Sequence, residues 1–168
     1  MKWIKVGKRQ EFCGKLNNYL FLAISMFIGE FNHSLDQKGR LAIPSKFRRE
    51  LLRGAVVTRG LDNCLFIYTK KEWTKLAEKL SALPLGQKDS RAFARLMLAG
   101  AMDVQIDSQG RVVLPEYLRT FAGIGKKVVV AGLYSRIEIW DEAKWHTYKS
   151  VTEKDSESIA ERMGELGV

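Results

Sequence analysis

The chain repeats itself. Asp36, Gly39, Arg40, Pro44 and Arg48 recur 71 residues later as Asp107, Gly110, Arg111, Pro115 and Arg119. The correspondence continues as GLDNCLFIYTKKEW, starting at Gly60, against GLYSRIEIWDEAKW, starting at Gly132, now displaced by 72. One residue of slippage between two matching blocks marks two copies of a single supersecondary unit. A unit of about 50 residues is marginal alone, so the copies are expected to share one core in a pseudo-twofold arrangement.

Each copy has the same order. In GEFNHSLDQKGRLAIP, an apolar-alternating run, a polar turn and then Leu41 and Ile43 predict two short strands around the turn. Asp36 is suited to accept hydrogen bonds from turn N–H groups, and Gly39 to take positive φ; Asp107 and Gly110 repeat both roles. Pro44 fits a strand end or helix start, and SKFRRELLR then sets Phe47 and Leu51 on one side of a short helix. In copy two, Leu118 faces inward with Phe121 or Ala122, and Gly123 is the expected C-cap. Paired strands follow, GAVVTRG with NCLFIYT and KKVVVAG with SRIEIWD, joined by turns placed at Gly60 and Gly132. Between the copies, Trp73, Leu76, Ala77 and Leu80 form one helical stripe, and Phe93, Leu96 and Met97 form another after Pro84. The expected organisation is an extension over 1–25, a first module over 26–76, a helical connector over 77–100, a second module over 101–148 and a C-terminal helical segment over 149–168. The fold class is α+β, mainly β, with additional helices.

Charge narrows the partner. The formal net charge is +9, which favours a polyanion, nucleic acid first and an anionic membrane surface second. Five Lys/Arg and one Glu fall in 1–25 and five acids and two bases in 153–168, leaving +8 in residues 26–152. The excess is concentrated further. From Asp36 to Arg53 the balance is +4, whereas from Asp107 to Arg119 it is zero. Copy one is therefore the stronger candidate for DNA contact, through Lys38, Arg40, Lys46, Arg48 and Arg49, with Arg111 the second-copy counterpart of Arg40.

Other classes fit poorly. Neither copy carries a second clustered acid, a histidine relay or a phosphate-cradling glycine loop, so no enzyme is expected. His33 and His146 stand apart from each other and from any cysteine pair, which leaves no metal-ligand spacing, and no cofactor is implied. Cys64, inside CLFIY, reads as a buried thiol in a reduced setting. Trp73, Trp140, Trp145, Phe47 and Phe93 fall on packing faces, not on an aromatic RNA-binding platform. Glu138 and Asp141 read as strand and helix-start residues. For Arg40 and Arg111 two readings stand: each ties down its turn, or its planar fork faces phosphate or guanine. A non-enzymatic module binding an acidic protein is the alternative to DNA.

Residues 1–25 differ in composition. Basic residues precede the apolar run YLFLAISMFIG, but no clean cleavage site follows, and the run is too short to span a bilayer. Three readings apply: a flexible or artefactual extension, which is preferred, a helix docked on the body, or a targeting segment.

MFIGEFNHSLDQKGRLAIPSKFRREL together with DSQGRVVLPEYLRTFAG resembles the MraZ family, whose fold is two tandem units similar to AbrB and SpoVT DNA-binding domains. The resemblance covers about Met26 to Tyr148. It implies a cytoplasmic, nucleoid-associated transcription regulator, usually a repressor of its own division and cell-wall operon, that forms ring-like homo-oligomers and recognises short direct repeats in double-stranded promoter DNA. It implies no membrane partner and no obligatory small-molecule ligand. It assigns Arg40 to DNA binding and Arg111 to the equivalent second motif, with Lys38 at a basic turn position where copy two has Gln109. The family pattern starts at Met26, which places residues 1–25 outside it and suggests an upstream start assignment.

Overall fold

The computed structural model describes residues 26–164 and Gly167. The expectations for residues 1–25 fall outside the described residues. Eight strands and six α-helices follow in the order β1 Phe27–Ser34, β2 Arg40–Ala42, α1 Ser45–Leu51, β3 Ala55–Arg59, β4 Leu65–Thr69, α2 Lys70–Ser81, α3 Lys88–Ala94, β5 Met102–Val104, β6 Arg111–Val113, α4 Glu116–Ala122, β7 Lys127–Tyr134, β8 Arg136–Asp141, α5 Glu142–Lys154 and α6 Ser156–Gly164. A π-helical turn, Arg95–Ala99, joins α3 to β5.

The repeat sets the topology. Two β–α modules, each of a strand, a turn, a ribbon strand, a short helix and a strand pair, build one antiparallel six-stranded sheet ordered β1-β7-β8-β4-β3-β5 and a two-stranded ribbon of β2 and β6. Written by repeat position the sheet order is palindromic, since β5, β7 and β8 are the counterparts of β1, β3 and β4. At the centre, Phe66 pairs with its own counterpart Glu138, and in the ribbon Leu41 pairs with its own counterpart Val112.

Three expectations change. The strands on either side of the 36–39 turn do not form a hairpin of their own; only an isolated bridge links Leu35 to Leu41. β1 pairs with β7 and β5 with β3, so each module gives its first strand to the other, which ties the halves together along their length. The reversal between β7 and β8 lies at Tyr134 and Ser135, with Tyr134 at φ 58°, while Gly132 sits inside β7 opposite Gly29 and Ile137. A Cβ at Gly132 would lie 2.6 Å from the Phe27 carbonyl carbon and 2.7 Å from the Ile28 nitrogen, so glycine there permits close approach of β1. Finally, the wider π-turn rotates the connector's apolar stripe, burying Met97 and leaving Phe93 39% exposed.

The sheet has two covered faces. On one, Phe27, Leu65, Ile67, Val128, Ile137 and Ile139 pack with Leu41 and Val112 of the ribbon and with Phe47, Leu51 and Leu118 of α1 and α4, so both modules share one core. On the other, Phe66, Tyr68, Val129 and Trp140 pack with Leu80 and Met97, and Trp73, Leu76 and Trp145 close over them. Tyr68 and Trp140, at matching repeat positions, thus share a packing role. Thr69 caps α2 by accepting from the Glu72 N–H at 3.2 Å, and Asp141 caps α5 by accepting from the N–H groups of Ala143 and Lys144. Glu138, buried on the second face, accepts from Arg136 Nε at 2.9 Å and from Trp140 Nε1 at 3.0 Å. No helix among the described residues is long and apolar enough to cross a membrane, and none of their His, Cys, Asp and Glu side chains form a group of three or more that could hold a metal ion.

Candidate nucleic-acid interface

The two turns are built alike. Asp36 Oδ1 accepts from the N–H groups of Lys38 at 2.9 Å and Arg40 at 3.0 Å, and its Oδ2 accepts from Arg40 Nε at 2.6 Å. Asp107 repeats the pattern with the N–H groups of Gln109 and Arg111, both at 2.9 Å, and with Arg111 Nε at 2.9 Å. The backbone N–H of Arg40 chiefly holds the Asp36 carboxyl below the ordinary carboxylate range, and the Arg111 side chain chiefly does so for Asp107. Gly39 and Gly110 close the turns at φ 70° and 79°, a conformation that glycine adopts without a Cβ clash.

The ribbon joins the turns. Its ladder extends past the paired strands, with Leu114 N–H donating to Gly39 and Ile43 N–H to Gly110, each at 2.9 Å. Strand alternation buries Leu41, Ile43, Val112 and Leu114 and sets Arg40, Ala42, Arg111 and Val113 on the opposite, outward face. Val113 is 54% exposed; the Arg40 and Arg111 side chains are 30% and 25% exposed. Each arginine is held through Nε, so its position on the ribbon is fixed before any partner arrives. Both turn-tying and partner-facing readings of these arginines are thus compatible with one geometry.

The basic residues of α1 divide. Lys46 and Arg49 are exposed; the Lys46 ammonium lies 5.2 Å from the Phe31 ring centroid, and Arg49 makes a 3.3 Å contact to Glu50 with its side chain 83% exposed. Lys38 is exposed at the turn. Arg48 is half-buried and turned inward: its Nε donates to the Ile43 carbonyl at 2.7 Å, and its guanidinium occupies the space a Cβ on Gly110 would need. Arg119 does the same in the other module, donating to the Leu114 carbonyl at 3.1 Å and packing over Gly39, where a Cβ would lie 3.0 Å from its guanidinium carbon. Each helix arginine therefore clamps the turn of the other module.

This crossing was not foreseen, but the repeat held a signal for it. Arg48 has a counterpart in Arg119, whereas Lys38, Lys46 and Arg49 face Gln109, Tyr117 and Thr120 at the matching positions. Arg48 and its counterpart Arg119 brace turns, whereas Lys38, Lys46 and Arg49, charges that copy one alone carries, lie on the surface. Val113, the apolar residue exposed between the two ribbon arginines, also escaped the sequence reading.

The family model described as "MraZ protein, putative antitoxin-like" matches the chain twice, over residues 26–96 and 97–166. A protein of Acetivibrio thermocellus named transcriptional regulator MraZ is 49% identical over 143 residues, which cover 85% of this chain and 100% of that protein. Proteins of the same name from Clostridium tetani and Alkaliphilus metalliredigens are 51% and 48% identical over the same shares. With its two family matches laid end to end, and with relatives aligned along their whole length, the chain belongs to the MraZ family.

Proposed function

We propose that this protein is a sequence-specific, non-enzymatic DNA-binding transcription regulator whose contact surface is the outward face of the β2–β6 ribbon with the basic turn and helix of the first module. The observation that carries the reading is the placement of Arg40 and Arg111, each held by its own aspartate, on one ribbon face, in a chain whose first module alone carries the exposed basic residues Lys38, Lys46 and Arg49. A two-stranded ribbon fits the major groove, where an arginine fork reads guanine and an apolar side chain such as Val113 can meet a thymine methyl. Lys38, Lys46 and Arg49 would neutralise phosphates and set register. Arg48 supports them by holding the second turn against the ribbon.

The names of the relatives support regulation of transcription. In this reading the chain represses its own division and cell-wall operon from the cytoplasm, at the nucleoid, as a ring-like homo-oligomer on short direct repeats. One subunit binds weakly, and linkage within a ring raises the effective concentration of the next contact, which favours repeated over single sites. The two modules, 26–76 and 101–148, flank the connector 77–100 and are related by a pseudo-twofold axis, with a helical segment over 149–168. The test is genome-wide capture of DNA on the full chain followed by footprinting. A ladder of protected short repeats upstream of its own operon is expected; no selective protection, with stable pairing to an acidic protein instead, would replace this reading by a protein-interaction module.

A further inference from the structure

The basic excess reaches both sides of the sheet. The ribbon packs with α1 and α4 on one face, and α2 and the π-turn pack on the other. On α2, Trp73, Leu76 and Leu80 turn to the sheet. That directs Lys71, Lys75 and Lys79, spaced i, i+4 and i+8, to the outer flank, where all three are exposed. Glu72 holds the Lys75 ammonium at 2.7 Å. α3 leads into the π-turn, and Lys88 and Arg95 are exposed along it. From Lys70 to Arg95 seven Lys/Arg stand against Glu72, Glu78 and Asp89, a balance of +4 that equals the balance from Asp36 to Arg53. Along α5 and α6, from Glu142 to Gly164, the balance is −1.

The duplication separates what the fold needs from what copy one adds. α5 is the counterpart of α2 and packs Trp145 as α2 packs Trp73. Yet Ala143, Thr147 and Val151 stand where α2 has Lys71, Lys75 and Lys79. The same packing is therefore built without the lysines. An exposed position here does not demand charge either, since Val151 is 64% exposed on α5. We infer that Lys71, Lys75 and Lys79 form a second phosphate-binding surface, by which the chain holds a second DNA segment on the side of the sheet away from the ribbon. This rests on the reading of the ribbon as a DNA-binding face.

Spacing and chemistry agree. Steps of four residues advance about 6 Å along a helix, close to two phosphates at about 3.4 Å of axial rise along one DNA strand. Lysine ammonium groups on flexible stems meet phosphate oxygens as point charges and lack the planar fork that reads a base. This surface would thus neutralise backbone without selecting sequence. Glu78 shares the flank and reduces its charge, and Lys88 and Arg95 extend the basic character beyond it. The six-stranded sheet, with its ribbon and helix layers, stands between the two surfaces. A straight duplex seated on the ribbon does not reach α2, so the lysines take a separate segment. With the ribbon on its own site, neighbouring DNA is held at high effective concentration for that second contact.

The test gives the full chain the residues that copy two carries, Lys71→Ala, Lys75→Thr and Lys79→Val together. A tandem-repeat promoter fragment is immobilised and loaded with protein, and retention of a labelled duplex of scrambled sequence is measured, with oligomeric mass and Tm in parallel. The wild type is expected to retain the labelled duplex. The triple variant should occupy the immobilised fragment within about twofold of wild type and retain about fivefold less of the second duplex. Lys71→Gln with Lys79→Gln, which leaves the Glu72–Lys75 pair in place, should show an intermediate loss. Equal retention by wild type and triple variant would overturn the proposal, because retention through the ribbons of other subunits survives the swap. If neither protein occupies the immobilised fragment, the ribbon reading fails instead, and salt titration on the scrambled duplex decides the second surface. Loss of three phosphate contacts should lower the slope of log K against log salt by about 2.7, and an unchanged slope would overturn it. If the swap abolishes sedimentation with anionic-lipid vesicles and leaves DNA retention intact, the lysines serve a membrane and the proposal is wrong.

Discussion

Arg48→Ala isolates the claim that the clamp arginines hold the scaffold. The substitution deletes the Nε–H donor to the Ile43 carbonyl, a 2.7 Å bond, and removes the group packed on the second turn. A hydrogen bond from a charged donor contributes about 2 kcal/mol. For a chain of this size that corresponds to a fall in Tm of about 6 °C. Arg49→Ala, one residue along and 83% exposed, should change stability by no more than about 0.5 kcal/mol. Arg48→Lys keeps the charge but lacks the planar fork, so it should recover only part of the loss. Arg119→Ala should mirror Arg48→Ala with a smaller effect, since its bond is 3.1 Å. Thermal melts at fixed protein concentration, read alongside DNA titration, decide the matter. If Arg48→Ala melts with the wild type yet binds DNA more weakly, Arg48 is a contact residue and the clamp is wrong.

Other perturbations test other parts of the fold. Gly132→Ala should cost about 1–3 kcal/mol by forcing β1 away from β7, seen as a lower urea midpoint and faster amide exchange at Phe27 and Ile28. The His33 imidazole is held below its ordinary value of 6.5 by burial first and then by the Arg48 charge. The unfolded chain therefore takes up that proton before the folded one, and stability that is full above the ordinary value falls as pH drops through it. His33→Gln should flatten the stability profile between about pH 7.5 and 5.5; an unchanged slope would remove His33 as its source. Burial pushes the Cys64 thiol far up, and its Sγ donates to the Leu61 carbonyl at 3.1 Å, so it should resist thiol reagents until the chain unfolds.

What the residues revealed depended on how local the determining physics was. The turns, the inward faces of α1 and α4, the helix start at Asp141 and the Gly123 helix end follow from short-range rules, and each was readable in a few residues. Comparison of the copies extended this to a shared core. The exchange of β1 and β5 between modules was not readable, because strand periodicity says which face is buried but not which strand lies alongside. The Gly132 reading failed for a related reason: a glycine beginning a matched block suggested a turn, whereas the need was close approach by a strand that starts 105 residues earlier. At the candidate site, Lys38, Lys46 and Arg49 could be picked out by charge. Charge alone grouped Arg48 with them; its match to Arg119 in copy two set it apart, and the partner it holds, the Ile43 carbonyl, is visible only in the fold.

Arg40 is the central residue of the proposed interface. Wild type and Arg40→Ala should be titrated against promoter fragments carrying tandem repeats and against scrambled repeats, with oligomeric mass and Tm measured in parallel. If Arg40 reads a base, its removal should weaken binding to tandem sites by about 5- to 150-fold, corresponding to about 1–3 kcal/mol. The preference over scrambled DNA should narrow while mass stays constant. Unchanged affinity and unchanged preference in an intact Arg40→Ala oligomer would contradict the proposed interface.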